Sequence, residues 1–222
     1  MKKEEVKQRF GSEFFDNEYF VGNTKSAYGD LVPGGYTKES FFLLKIEESI
    51  SLLKIVGYTR RRAPDKILVA GCAMGYLVDA FQSYAKIETY GVDISEHAIN
   101  KGRKEGVKNI RVGDVCDLHS FKNKEFELVV SLELLENIPH DEGQLERAIN
   151  ELARVTKNYL ILAVRNGVDD TLPDQTDGPW KSHFSVHSPN WWANEFEKRG
   201  LVEYGQFKSN TGTIIILEAP YE

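Results

Sequence analysis

Short apolar runs alternate with amphipathic stretches from residue 66 onward. The runs predict buried strands, and the stretches between them, where apolar residues recur every three or four positions, predict helices. Strands are expected at 66–71, 87–93, 109–114, 126–132 and 158–164, and helices at 74–85, 95–104 and 141–155. Strands that alternate with helices predict a parallel sheet covered by helices on both faces.

A further helix and a hairpin are predicted after the last of these strands. In "SPNWWANEFEKRG", Ser188 suits the N-cap, Pro189 the first turn and Gly200 a left-handed C-cap. The apolar runs at 201–207 and 212–219 flank a short polar turn. They predict a terminal antiparallel hairpin.

Two segments follow neither period. Residues 10–37 are rich in Gly, Phe and Tyr, and residues 166–187 are polar with four aspartates. Loops of this length in a compact domain are usually functional or disordered. Between the first of them and the sheet region, an apolar stripe predicts a helix at 38–57. The stripe consists of Phe42, Ile46, Ile50 and Leu53.

Composition and length favour one soluble domain. The chain has 222 residues, of which 41% are hydrophobic and 28% charged. We expect a single domain over 1–222, with an N-terminal lid and helix at 1–60, a core at 61–222 and a substrate loop at 166–187. The sequence leaves the oligomeric state open, a homo-oligomer included.

Charge and cysteine usage exclude several classes of protein. A net charge of −6 gives no general basic field, so nucleic acid is not an expected partner. Neither a signal sequence nor a membrane-spanning run is present, which favours a cytoplasmic protein. Cys72 and Cys116 have no CxxC or Cys/His spacing, so neither a disulfide scaffold nor structural zinc is expected.

The stretch "KILVAGCAMGYLVDAF" joins the first strand to a helix through Gly71, Ala73 and Gly75. It matches neither the G-x-G-x-x-G dinucleotide fingerprint nor a P-loop. Small residues at these positions let the backbone approach a ligand while the helix amides face a carboxylate. The stretch therefore predicts a cofactor loop for a ligand without a pyrophosphate.

Two aspartates follow at the ends of the next strands. Asp93 of "YGVDIS" is placed to accept hydrogen bonds from both hydroxyls of a ribose, and Ser95 can cap the next helix, which leaves this carboxylate free. Asp114 of "VGDVCDL" would meet the exocyclic amine of a base, or instead form an Asx-type turn. Together the strand ends predict a pocket for an adenosine that carries an amino-acid tail.

As a set, these motifs resemble class I S-adenosylmethionine-dependent methyltransferases over about residues 64–165. "FELVVSLELLENIPHDE" is similar to the fourth-strand motif of that family. The resemblance implies a Rossmann-like α/β fold, doubly wound, with a mostly parallel seven-stranded sheet, a terminal antiparallel strand and S-adenosylmethionine as cofactor. The cofactor-binding residues that it implies are Gly71, Cys72, Ala73, Gly75, Asp93, Ile94, Asp114, Val115 and Ser131.

The chain departs from the family pattern at three positions. The family usually has an acidic residue where this chain has Val69, and a middle glycine where it has Ala73. Asn137 stands where a histidine is frequent. Val69 and Ala73 motivate an alternative function, that of a non-catalytic cofactor-binding or degenerate methyltransferase-like protein that acts through a partner.

The flanks resemble methyltransferases of surface-polysaccharide or sugar modification. "FFDNEYFVGNTKSAYGD" and "DGPWKSHFSVHSPNWWANEFEKRGL" carry this likeness, with Asp177, His183 and the Trp191–Trp192 helix matching the pattern. It implies methyl transfer to a small molecule, at an oxygen of a sugar or glycan precursor. The fourth-strand motif lacks the Asn/Asp-Pro-Pro-aromatic sequence that methyltransferases use when they act on the amino groups of nucleic-acid bases. Methylation of a nucleic-acid base is therefore not favoured.

An alcohol acceptor benefits from a general base, and His183 is the first candidate. The alternative is that His183 and His187 only hydrogen-bond the loop backbone. Their H-x3-H spacing beside the loop aspartates is one that metal sites use, but no cysteine or H-E-x-x-H context accompanies it, so a solvated acidic loop is favoured and no metal is expected.

Two further residues are candidates for substrate binding. Glu133 follows the fourth strand, as does Glu136, and both either face the acceptor or cap a short helix. Tyr28 lies in the aromatic N-terminal segment with Phe20. This segment either closes over the cofactor as a lid or covers the edge of the core.

Overall fold

The computed structural model describes residue 20 and residues 63–139, 143–165, 184–209 and 212–220. The strands are β1 Lys66–Ala70, β2 Glu88–Asp93, β3 Ile110–Val112, β4 Phe126–Leu132, β5 Thr156–Val164, β6 Val202–Lys208 and β7 Thr213–Glu218. The helices are α1 Tyr76–Ser83, α2 Glu96–Lys104, α3 Gln144–Val155 and α4 Pro189–Glu197, with a 3-10 turn at Leu135–Asn137. Within the described ranges, no helix has the length and apolar character needed to cross a membrane.

The strands form one sheet in the order β3-β2-β1-β4-β5-β7-β6. Strands β1 to β5 are parallel, and β7 is antiparallel to both β5 and β6. The predicted mostly parallel, seven-stranded sheet with a terminal antiparallel strand is confirmed. The chain reverses its direction of travel across the sheet between β1 and β4, and in open α/β sheets such a switch point forms a crevice at the carboxyl ends of the strands.

Helices cover both faces of the sheet because successive strand residues point to opposite sides. Val69 of β1 belongs to the same apolar cluster as Phe81 of α1. Its neighbour Leu68 belongs to the cluster on the other face, with Ile149 of α3. Both faces of β1 are therefore buried, as expected for the centre of a parallel sheet.

The predicted helix ends form as the sequence indicates. Ser95 Oγ accepts a hydrogen bond from Ala98 N at 3.0 Å, and Ser188 Oγ accepts one from Trp191 N at 3.2 Å. Gly200 has a φ of 83°, the left-handed conformation expected after α4. The helix predicted over 38–57 and, apart from Phe20, the predicted lid lie outside the described residues.

Candidate cofactor and acceptor site

The connection from β1 to α1, Gly71–Gly75, is called the glycine turn below. Gly71, Ala73 and Gly75 all have positive φ, at 71°, 48° and 77°. Gly71 N and Cys72 N both donate to the carbonyl oxygen of Val92 in β2, at 2.9 and 3.0 Å. The turn is thus fixed to the tip of the neighbouring strand.

Packing supplies one reason for the two glycines. A Cβ at Gly71 would lie 2.9 Å from Leu134 Cδ1, and a Cβ at Gly75 would lie 2.7 Å from Ile110 Cγ2. Both distances are too short for ordinary carbon contacts. The absence of side chains at the two glycines therefore lets Leu134, just after β4, and Ile110 of β3 pack against the glycine turn. Close approach of a ligand to these glycines stays a prediction.

Asp93 joins the glycine turn to the start of α2. Its Oδ2 accepts from Ala73 N at 2.7 Å, and its Oδ1 accepts from Ser95 N at 2.8 Å. Burial raises the pKa of Asp93, and the two N–H donors oppose that rise. The expectation that Ser95 leaves this carboxylate free was wrong, because a neighbouring loop also needs an acceptor for its amide. A carboxylate has roughly four lone-pair positions, so room for further donors remains.

Asp114 lies on the exposed turn after β3. Its Oδ1 accepts from Cys116 N at 2.8 Å, which is the Asx-type turn that the sequence allowed as an alternative. Gly113 N donates to the carbonyl oxygen of Asp93 at 2.9 Å, so the tips of β2 and β3 are held together. Recognition of a base by Asp114 stays a prediction.

The other predicted cofactor residues differ in exposure. Cys72 is buried with its sulfur against Gly91, and burial raises the pKa of its thiol well above the usual value. Its side chain therefore belongs to the core, and its backbone is what remains for a ligand. Val115 is buried, whereas Ile94 is half-buried. Ser131, at the carboxyl end of β4, is 1% exposed, and within the described part of the chain its Oγ has no hydrogen-bond partner.

The turn after β4, Glu133–Asn137, is called the β4 turn below. Glu133 has a φ of 52°, and its N–H donates to Ala163 O at 2.8 Å. Its carbonyl oxygen accepts from Asn137 Nδ2 at 2.8 Å. Asn137, where the family often has histidine, therefore closes this turn, and its side-chain amide gives a physical reason for the departure.

Glu136 in the β4 turn is fully buried, at 0% exposure. Among the described residues, neither carboxyl oxygen makes a well-formed hydrogen bond, although the backbone N–H groups of Glu136 and Arg165 lie close enough to lower its pKa. Burial, with a contribution from the charge of Glu133, raises the pKa of Glu136 to about 8, and Arg165 opposes the rise. At neutral pH this carboxyl group is mostly protonated.

A cofactor with a ribose and a charged tail fits the residues that converge here. The strand tips offer a half-buried carboxylate in Asp93, backbone fixed in a left-handed turn, and the unpartnered hydroxyl of Ser131. The sequence matches the methyltransferase domain family over residues 68–163. The protein is an S-adenosylmethionine-dependent methyltransferase. S-adenosylmethionine is its cofactor.

Solved structures share the fold of this methyltransferase. Magnesium protoporphyrin IX methyltransferase of Synechocystis PCC 6803, solved with bound SAM, has a TM-score of 0.66 at 15% identity, with 99% of each chain covered. A protein of Pyrococcus horikoshii OT3 has a TM-score of 0.60 at 19% identity, with 84% of this chain and 100% of that chain covered. A chain of the Haloferax volcanii complex that contains the Trm112 methyltransferase activator has a TM-score of 0.58 at 18% identity, with 71% and 83% covered. No curated protein sequence matches this methyltransferase significantly.

Restoring the family's middle glycine should stabilise the methyltransferase. Ala73 holds a φ of 48°, and the left-handed conformation costs an L-residue roughly 1–2 kcal/mol. Part of the gain is lost because glycine makes the unfolded chain more flexible. We expect Ala73→Gly to raise the free energy of unfolding by about 1 kcal/mol in urea denaturation. Ala80→Gly, in the interior of α1, is the matched control and should destabilise. If both variants destabilise alike, the strain at Ala73 is not real.

The remaining predicted residues lie outside or beside the described site. His183 and Tyr28 are outside the described residues, so their predicted roles stay predictions. His187 is buried and stacks on Trp191 with ring centroids 3.6 Å apart, which gives it a packing contact. Phe20 is buried and stacks on His97 of α2 at 6.3 Å. That contact agrees with a lid and equally with a cover for the core edge.

One residue that supports the site was not singled out in the sequence. Gly102 lies in α2, and a Cβ there would be 2.1 Å from the carbonyl oxygen of Met74. The missing side chain lets α2 pack directly on the backbone of the glycine turn. The available signal was a glycine inside a helical pattern, which usually has a packing or functional reason.

Proposed function

We propose that this methyltransferase transfers a methyl group to an oxygen of a small molecule, with a sugar or glycan precursor as the favoured class. The observation that carries the proposal is the contact between the β4 turn and the glycine turn. The side chain of Leu134 fills the space in front of Gly71, with its Cδ1 2.9 Å from the position of a Cβ there. An acceptor held by the β4 turn would lie beside a cofactor held by the glycine turn.

The proposed cofactor contacts follow the strand tips. Asp93 would bind the ribose hydroxyls, Asp114 the base, and the glycine turn with Ser131 the methionine end. Bound S-adenosylmethionine supplies a methyl group that is already electrophilic. The protein's part is then to hold the acceptor in line with that group and to exclude water.

The acceptor class rests on the flanks and on charge. The segments at residues 14–30 and 177–201 resemble those of sugar-modifying methyltransferases, and the net charge of −6 disfavours a nucleic acid. The Synechocystis structure, whose name gives a small-molecule substrate, covers 99% of both chains. Within this proposal, Glu133 and Tyr28 contact the acceptor, and His183 is the first candidate for a general base.

A second candidate is a cofactor-binding protein that acts through a partner. Val69 is 3% exposed and lies in the apolar cluster on the α1 face, so the acidic residue usual in the family has no counterpart there. The Haloferax volcanii chain comes from a complex with a methyltransferase activator, and a partner of that kind would suit this candidate.

Calorimetry and a methyl-transfer screen test the proposal in two steps. Binding of S-adenosylmethionine and S-adenosylhomocysteine is expected, and absence of both at millimolar concentration would end the enzyme hypothesis. Radiolabelled methyl transfer is then measured on nucleotide sugars, small phenols and nucleic acids. Transfer to a hydroxyl of a small molecule supports the proposal. Transfer to nucleic acid alone, or binding without transfer to any acceptor, contradicts it, and the latter result favours the second candidate.

The ribose contact of Asp93 can be separated from its contact with the glycine turn. Wild-type protein should bind S-adenosylhomocysteine about tenfold more tightly than its 2′-deoxy analogue, because the analogue lacks a hydroxyl that donates to the carboxylate. Asp93→Ala should weaken both ligands, since the amide of Ala73 loses its acceptor. The difference between the two ligands should disappear in that variant.

The matched control is Asp114→Ala, because Asp114 is assigned to the base. Calorimetry of this variant should keep the tenfold preference for the ribose hydroxyl. If Asp93→Ala keeps the same preference, Asp93 shapes the glycine turn but does not contact the ribose.

A further inference from the structure

We infer that the carboxyl group of Glu136 faces the acceptor and receives the proton that the acceptor hydroxyl loses during methylation. This inference rests on the proposed function, and it assigns to Glu136 the proton transfer for which His183 is the first candidate in the sequence. The geometry of the described residues is what identifies Glu136 as a proton acceptor.

Position is the first argument. Glu136 lies in the β4 turn, whose Leu134 side chain fills the space in front of Gly71. The β4 turn is also tied to β5, because Glu133 N donates to Ala163 O at 2.8 Å. Glu136 is therefore held at the carboxyl end of the sheet, on the β4 side of the crevice that the glycine turn borders.

The unsatisfied carboxyl group is the second argument. Its two oxygens make no well-formed hydrogen bond in the described part of the chain, although the backbone N–H groups of Glu136 and Arg165 lie close enough to lower its pKa, and the residue is fully buried. Buried polar groups are almost always hydrogen-bonded, and an exception in a native fold calls for a functional or solvent explanation. Ser131 Oγ, earlier on the same β4 segment, is also buried without a partner among these residues. A hydroxyl-bearing ligand would satisfy groups of this kind.

The main chain of Glu136 also binds the residues that directly follow 166–183 in the sequence. The carbonyl oxygen of Glu136 accepts from Phe184 N at 2.7 Å and from Ser185 N at 3.1 Å. Ser185 Oγ donates to Ile138 O at 2.5 Å. The chain that follows residues 166–183 is thus fastened to the main chain of the β4 turn.

The proposed step conserves atoms and charge. The acceptor oxygen forms a bond to the methyl carbon, and the carbon–sulfur bond breaks with its electron pair going to sulfur. The hydroxyl proton passes to the carboxylate of Glu136, which later releases it to water. A general base works best when its pKa is near the working pH; with a pKa of about 8, the carboxylate form of Glu136 that accepts the proton predominates only above pH 8. The charged groups that act on this carboxyl are Glu133, which raises its pKa, and Arg165, which lowers it.

Proximity to the transferred methyl group can be measured without knowing the acceptor. The protein is labelled with ¹³C at glutamate carboxyl carbons and titrated by NMR with either S-adenosylmethionine or S-adenosylhomocysteine bound. The two ligands differ by the methyl group and its positive charge. A unit charge about 10 Å away in a medium of effective dielectric about 20 shifts a pKa by about one unit. We therefore expect the pKa of Glu136 to be about one unit lower with S-adenosylmethionine.

The outcomes separate this inference from the proposed function. Glu136→Gln assigns the resonance by removing it, Glu136→Asp does the same if that variant does not fold, and Glu133→Gln is the control that leaves it in place. Equal pKa values in the two complexes overturn the inference, because the carboxyl is then remote from the methyl group. Failure of both ligands to bind in calorimetry overturns the proposed function instead.

Discussion

Gly102→Ala is expected to lower the free energy of unfolding by about 3 kcal/mol or more and to abolish measurable cofactor binding. A Cβ at this position would lie 2.1 Å from Met74 O, 2.8 Å from Met74 C and 2.8 Å from Ile110 Cδ1. The closest of these atoms belong to the backbone, so no rotation of a side chain relieves the contact. Either α2 moves away from the sheet, or the glycine turn moves, and both changes damage the site.

Urea denaturation and calorimetry with S-adenosylhomocysteine measure the two effects. Gly113→Ala is the matched control, because a Cβ there would be 3.6 Å from the nearest heavy atom, an ordinary contact. That variant should retain both stability and binding to within about 0.5 kcal/mol. A Gly102→Ala protein as stable as the control would show that α2 does not pack on the glycine turn.

Glu136→Gln is expected to remove a large dependence of stability on pH. Burial raises the pKa of Glu136 in the folded protein to about 8, whereas in the unfolded chain the group ionises near 4.5, the ordinary pKa of a glutamate. Between these values the folded protein keeps a proton that the unfolded chain releases, so stability falls as pH rises. The slope is about 1.4 kcal/mol per pH unit, which gives the wild type a loss of about 3 kcal/mol between pH 4.5 and 7 relative to the variant.

Urea denaturation of both proteins at a series of pH values gives this difference directly. The two curves should run parallel below pH 4.5, diverge above it and become parallel again above pH 8. Glu197→Gln is the control, because Glu197 is exposed in the last turn of α4 and its neutralisation should leave the wild-type slope intact. Parallel curves throughout would mean that Glu136 is ionised in the folded protein, which its burial without a partner makes costly.

The sequence predicts those features that depend on local order along the chain. The caps at Ser95, Ser188 and Gly200 form because each requires only residues within a few positions of itself. The strands and their parallel arrangement follow from the alternation of apolar runs and amphipathic stretches. These elements place the glycine turn and the ends of β2 and β3 at one edge before any tertiary contact is known.

Contacts between distant segments account for what the sequence did not predict. Asp93 was expected to be free, yet it accepts from the amide of Ala73, a residue 20 positions earlier, because the two strand tips are adjacent in the sheet. Glu136 gave no signal of its burial, which requires the turn after β4 and residues 184–186 to meet. The sequence predicted a tight turn at Gly71 and Gly75, but their packing against Leu134 and Ile110 depends on partners that only the folded sheet reveals.

The position of β7 between β5 and β6 has a consequence for biosynthesis. Among the described strands, β6 pairs only with β7, yet β6 emerges from the ribosome first. Until β7 inserts, β6 has no neighbour, and the outer edge of β5 is open. Tyr204 and Phe207 of β6 are 48% and 42% exposed even in the finished fold, so a chain stalled before Thr213 would present two unpaired edges with aromatic side chains. Such nascent chains are prone to aggregate and expose surfaces that chaperones bind.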